Sequence, residues 1–279
     1  MRSLADQNLA ELGSPLSVLA VQKRDHVRLD QLLRKLEETP PGQQPPVLLS
    51  IYRLVFPHAF AEESVLWPTI RRVLPDGHAL TLQVEVEHQQ INELVTRLEK
   101  LEPGSPEHRA LLPRLVTLLQ EDVRDEEDEL LPRLQARLTV SQLVWLGLAW
   151  EAVRRIAPTR AHPVVSRRPP GNILAALPLS VVDRCRDLVD SRRHRGAGKS
   201  SAALQSSGAL LARAAHQIER LPGMRSGESP STHIARKAGL PWGALTASTL
   251  VVVSAALLLQ RLGAGRACGA NQPIPTSSR

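Results

Sequence analysis

Apolar residues in the first half of the chain recur at helical spacing. In "DHVRLDQLLRKLEE" the positions +3, +6, +7 and +10 from His26 are all leucine. In "EHQQINELVTRLEK" the same offsets from His88 carry Ile91, Leu94, Val95 and Leu98. Such positions form one stripe on a 3.6-residue helix. Three breakers, "TPPGQQPP" at 39–46, "LPDG" at 74–77 and "LEPGSPE" at 101–107, divide residues 14–138 into four helices.

The first and third of these helices align at an offset of 62 residues. The second and fourth align at 64 through the frame x-x-x-x-E-E-x-x-L-x-P, written once as "HAFAEESVLWP" from His58 and again as "DVRDEEDELLP" from Asp122. This is a duplicated two-helix unit. Short connections make consecutive helices antiparallel neighbours, so the pattern predicts an all-α, antiparallel up-down four-helix bundle over 14–138. His26 pairs with His88, His58 with Asp122, and Glu62 with Glu126 under its approximate two-fold.

Beyond residue 139 the pattern changes. "SQLVWLGLAWEAVRRI" predicts a fifth helix, "APTRAHPVVSRRPPGN" a proline-broken extended segment, and "ILAALPLSVVDRCRDLVDSRR" a sixth helix. Residues 139–193 are thus expected as a helical extension on the bundle, with Trp145 and Trp150 packing between the two. From 194 to 279 the reading is a flexible basic tail of low order, with a short helical pattern at "GALLARAAHQIERL" and an uncharged apolar run of 19 residues at 241–259. That run is close to the roughly 20 residues of a spanning helix, though Ala, Ser and Thr dilute it.

Composition supports helices over sheets, since aromatic residues are only 3% of the chain. Charge is split. Residues 1–139 hold 16 Lys+Arg against 22 Asp+Glu, a net −6, and residues 140–279 hold 19 against 6, a net +13. A basic tail is either solvated or faces phosphate, which makes a membrane or anionic surface its candidate partner; no specific nucleic-acid binding follows. Cys185 and Cys268 have no partner at disulfide or zinc spacing. The N-terminus "MRSLADQNLAELGS" has no apolar run, so the expected compartment is the cytoplasm, with membrane association through 241–259 as the variant.

The candidate chemistry lies in the repeat. Residues i and i+4 share a helix face, so His58 projects with Glu62 and Asp122 with Glu126. With His26 and His88 these would bring three imidazoles and three carboxylates into an apolar core, where a pair of divalent metals is the simplest compensation for the buried charge. Taken singly, each has a plainer reading: a lone helical histidine is usually satisfied or exposed, and "EDVRDEEDE" is usually a solvated face. Their coincidence in the two repeats favours the metal. His78 and His108 are too far along their helices to join. "GAGKSS" at 196–201 lacks the first glycine and the strand of a phosphate loop.

D-H-x-x-L, H-x-x-x-E-E-x-x-L-W-P and E-H-x-x-I, followed by a carboxylate-bearing fourth helix, resemble the hemerythrin-like, or HHE cation-binding, family over about residues 14–138. The region around "IAPTRAHP" and "RRPPGN" is similar to an extension on actinobacterial members. The resemblance implies two non-haem irons, with His26, His58 and His88 as terminal ligands, Glu62 and Glu126 as bridges, and an open position for dioxygen or a related diatomic or peroxide ligand. Asp122 stands where the family has a histidine. It reaches a metal directly or through water, or leaves one metal weakly held so that the iron complement is incomplete, or marks a lost site. The leading expectation is a protein that binds or senses dioxygen, a related oxidant or iron. Its alternatives are a di-iron peroxide or nitric oxide reductase and a metal-depleted helical interaction module.

Overall fold

A computed structural model describes residues 1–195 and 201–232, and among them every regular element is helical. The bundle consists of α1 (Val18–Glu38), α2 (Pro45–Ala61) continuing through a π turn into α3 (Trp67–Val73), α4 (Gly77–Leu98), and α5 (Pro106–Asp125) continuing through a second π turn into α6 (Leu131–Gln135). Ser17 and Ser105 cap α1 and α5 by accepting from Leu19 N–H and His108 N–H. α1 packs on α2 and α4 on α5, as the short connections require.

The apolar stripes bury two separate clusters. One holds Val18 and Val21 of α1, Leu66, Trp67 and Ile70 around α3, and Leu131 and Leu134 of α6. The other holds Leu29 to Leu36 of α1, Ile51 and Phe56 of α2, Ile91 to Leu98 of α4, and Leu115 and Leu119 of α5. His26, His58, His88 and Asp122 fall between the two stretches on their respective helices. The bundle is therefore stacked along its axis as apolar layer, polar layer, apolar layer, and the polar layer is the site.

Residues 1–13, outside the expected bundle, join it. Leu4 is fully buried, and its N–H bonds Glu127 O at 2.8 Å. α7 (Val140–Ile156) starts at a reciprocal cap between Thr139 and Gln142 and lies across α1 and α2. Its Trp150 is fully buried, but Trp145 is 73% exposed, so only one of the two tryptophans packs as expected. The two are five residues apart, and 500° of helical rotation turns Trp145 away from the face that α7 presents to the bundle.

α8 (Gly171–Arg195) and α9 (Ser201–Glu219) pack closely on each other. This differs from the low-order tail expected from residue 194. Leu211, Ala214, Ala215 and Ile218 form an apolar stripe on α9 and bury against Val182, Cys185 and Val189 of α8. The small residues of "GALLARAAHQIERL" read as linker by composition, but they allow close helix approach. No helix among the described residues is long and apolar enough to cross a membrane. The apolar run 241–259 lies outside them.

Candidate metal centre

The local geometry begins with proline. Pro68 and Pro132 have no N–H to give the carbonyl four residues back, and their rings crowd it. In both copies of the frame the helix widens, and Trp67 N–H and Leu131 N–H bond five residues back, to Glu62 O and Glu126 O. π turns of this kind recur at functional sites. The Glu62–Leu66 turn lets two consecutive glutamates, Glu62 and Glu63, both be buried.

The structure brings all six of the expected residues together. His26, His58, Glu62 and Glu126 place one candidate donor atom each within 4.8 Å of one another, and His88, Asp122 and Glu126 form a second such group. Glu126 belongs to both. Glu62 spans them as well, with Oε1 2.9 Å from His58 Nε2 and Oε2 3.7 Å from His88 Nε2. His26 Nε2 lies 3.2 Å from Glu126 Oε2, and His88 Nε2 3.4 Å from Asp122 Oδ1. All six are buried or nearly so.

The histidines are aimed. Nδ1 of His26 meets Glu127 at 2.9 Å, Nδ1 of His88 meets Glu63 at 3.0 Å, and Nδ1 of His58 meets Asp25 at 3.2 Å. A carboxylate that accepts the Nδ1 proton leaves Nε2 as the free donor and fixes the ring plane. Gln22 Nε2 donates to Glu62 Oε1 at 2.7 Å. Trp67 stacks on His88, and Trp150 stands edge-on to His58 with centroids 5.3 Å apart.

Sequence reasoning missed these carboxylate partners. The signals were present: Asp25 directly precedes a helical histidine, and Glu63 and Glu127 are the second residues of the two E-E pairs. Glu63 reaches from the first unit to the histidine of the second, and Glu127 from the second to the first. The duplication thus interlocks its halves.

Electrostatics follow from burial and proximity. Burial alone would push His26 down, but contacts with Glu126 and Glu127 outweigh it and hold the imidazole at about 9. His88 is likewise opposed by burial and raised, by Asp122, Glu63 and Glu62, to about 10. Burial, together with the charges of Glu126, Glu62 and Glu87, raises Asp122 well above the usual carboxylate range against the opposing pull of His88. Several inward-facing atoms have no hydrogen-bond partner: His26 Nε2, Glu62 Oε2, His88 Nε2, Asp122 Oδ1 and Glu126 Oε1. Their convergence fits a pair of cations, whose bonds would satisfy these same atoms.

A cavity of about 20 Å³ abuts the cluster between His26, His58 and Asp122, walled by apolar side chains including Leu29, Leu54 and Leu119. It has room for a water-sized or diatomic molecule and no more.

Residues 17–134 match the Hemerythrin HHE cation binding domain. An uncharacterized hemerythrin-like protein of Schizosaccharomyces pombe is 24% identical over 134 residues, covering 48% of this chain and 66% of that protein. A DNA nickase of a Nostoc species is 25% identical over 128 residues, covering 46% of this chain and 36% of the nickase. The chain thus spans less than two thirds of either relative. No solved structure matches with significant similarity. The duplicated frame, the polar layer it builds and the domain match agree on the same stretch: residues 17–134 are similar to the hemerythrin HHE cation binding domain.

Proposed function

We propose that the bundle holds two cations, iron among them, and that this non-haem centre takes up dioxygen or a related small oxidant at the 20 Å³ cavity, changing ligation or oxidation state without turning over an organic substrate. His26 and His58 would hold one cation and His88 and Asp122 the other, with Glu62 and Glu126 shared between them. The observation that carries this reading is the set of converging unpartnered atoms. Each buried, unmet polar atom costs about 1–3 kcal/mol. Long ion-pair contacts recover part of that cost for four of the five atoms, and a domain's whole stability is only about 5–15 kcal/mol. A metal-depleted interaction module would have only histidine–carboxylate contacts of 3.2–3.7 Å to offset that cost.

Bound iron supplies a centre that can ligate a small molecule and exchange electrons with it. The chain's own residues do the rest. Asp25, Glu63 and Glu127 hold the Nδ1 protons and so keep three Nε2 atoms pointed inward. The leucines around the cavity exclude bulk water and anything larger than a small ligand. The surrounding carboxylates raise His26 to about 9 and His88 to about 10, so cation binding would displace protons from them and affinity is expected to rise with pH.

The test is anaerobic loading with iron(II), followed by exposure to dioxygen and then its removal. The reading expects a visible absorption change that reverts or is reset by a reductant. Sustained consumption of peroxide or nitric oxide with a reductant would transfer the protein to the reductase reading.

A further inference from the structure

The two cation positions are built from unequal donors, and the inequality traces to one residue. Under the repeat, His26 corresponds to His88, Glu62 to Glu126 and Glu63 to Glu127, and each pair is chemically matched. The remaining pair is His58 and Asp122. Asp25 clamps His58 through Nδ1 at 3.2 Å. The residue corresponding to Asp25 is Glu87, offset by 62, and where Asp25 has His58 as its partner, Glu87 has in the matching place Asp122, a carboxylate with no N–H to give, on which its charge acts. Glu87 Oε2 is buried with no hydrogen-bond partner. Asp122 is only 8% exposed, and its Oδ1 has no hydrogen-bond partner either, with His88 Nε2 3.4 Å away. The first position therefore offers His26 and His58 with two carboxylates, and the second offers His88 with Asp122, Glu126 and the far oxygen of Glu62.

Imidazole nitrogen sharpens the preference for later first-row cations along manganese, iron and cobalt, whereas carboxylate oxygen flattens it and suits harder ions such as manganese(II) and magnesium. Glu87, whose Oε1 accepts from Gln83 Nε2 at 3.4 Å, adds a further carboxylate whose charge acts on Asp122. We propose that the centre is a mixed pair, with iron at the His26–His58 position and a hard divalent cation, manganese(II), at the His88–Asp122 position. This inference rests on the binuclear reading above.

The test uses the full chain, loaded anaerobically with iron(II) and about a tenfold excess of manganese(II), desalted, then read by elemental analysis and low-temperature electron paramagnetic resonance. The expected result for the wild type is roughly one iron and one manganese per chain, with the signal of a spin-coupled iron–manganese pair. D122H restores an imidazole opposite Glu87 and is expected to take roughly two irons and less than about a tenth of a manganese. D122N, which keeps the size and removes the charge, is expected to retain the iron and lose the manganese. Two irons without manganese in the wild type, or a manganese content unmoved by both substitutions, would overturn the mixed pair and leave the binuclear reading standing. Only traces of any cation in all three proteins, each still helical by circular dichroism, would overturn the binuclear reading and the mixed pair together.

Discussion

Glu127 shows how one side chain acts at a distance from the chemistry. It need not touch a cation, yet its contact with His26 Nδ1 at 2.9 Å sets the ring plane and the basicity of Nε2. E127Q keeps the shape and removes the charge. Its expected effect is a fall in cation affinity of about 10–100-fold with helicity unchanged, read by competition against a chromophoric chelator. Unchanged affinity would make Glu127 a packing residue. The six inward residues were legible in the sequence because two copies of one unit placed them at the same phase. Asp25, Glu63, Glu87 and Glu127 were not, because an acid beside a histidine on an acidic helix reads equally well as a solvated face. For Glu63 and Glu127 the π turns, which bring consecutive glutamates inward, decide between the two readings.

At the level of elements, α7 is held by a close approach at Gly147. A Cβ there would sit 2.1 Å from Leu16 O and 2.9 Å from Val18 N. G147A is therefore expected to lift α7 from the start of α1 at a cost of about 1–3 kcal/mol, seen as a lower Tm, and to weaken the contact between Trp150 and His58. The pairing of α8 with α9 is tied to protonation through His162, which lies 3.0 Å from Asp183 and 2.9 Å from Glu219. Burial opposes the charge on His162, but the two carboxylates outweigh it and raise the group to about 10. Burial likewise opposes the charge on Glu219, and its histidine partners bring it down to about 2. The raised histidine contributes stability that is full below about 6.5 and lost as pH climbs towards 10; the lowered glutamate contributes stability that is full above about 4.5 and lost as pH falls towards 2. Hydrogen exchange in α9, corrected for its intrinsic pH dependence, should be slowest between those limits. Protection that is flat up to pH 10 would contradict the role given to His162. This contact could not be read from the sequence, because His162 and Glu219 are separated by 57 positions and no repeat relates them.

Across the whole molecule, the polar layer is buttressed from outside the bundle. Arg168 forks onto Glu85, which is fully buried, at 2.6 and 2.9 Å, and Arg71 meets the same carboxylate from α3. Arg167 Nη1 lies 3.7 Å from Glu63, which aims His88. R168A leaves Glu85 with half its compensation and is expected to loosen residues 157–170 from the bundle by about 1.5–3 kcal/mol, measured as faster limited proteolysis there. The bundle itself followed from hydrophobic periodicity and three breakers. The attachment of the extension did not, because it depends on arginine–carboxylate pairs between distant segments, which periodicity does not encode. The central claim, that this layer exists to hold a cation pair, is tested most directly by elemental analysis of the full chain after anaerobic loading with iron(II) and removal of free metal. The account predicts close to two cations per chain, retained on desalting and accompanied by proton release. A folded, helical chain retaining less than about half a cation would contradict it.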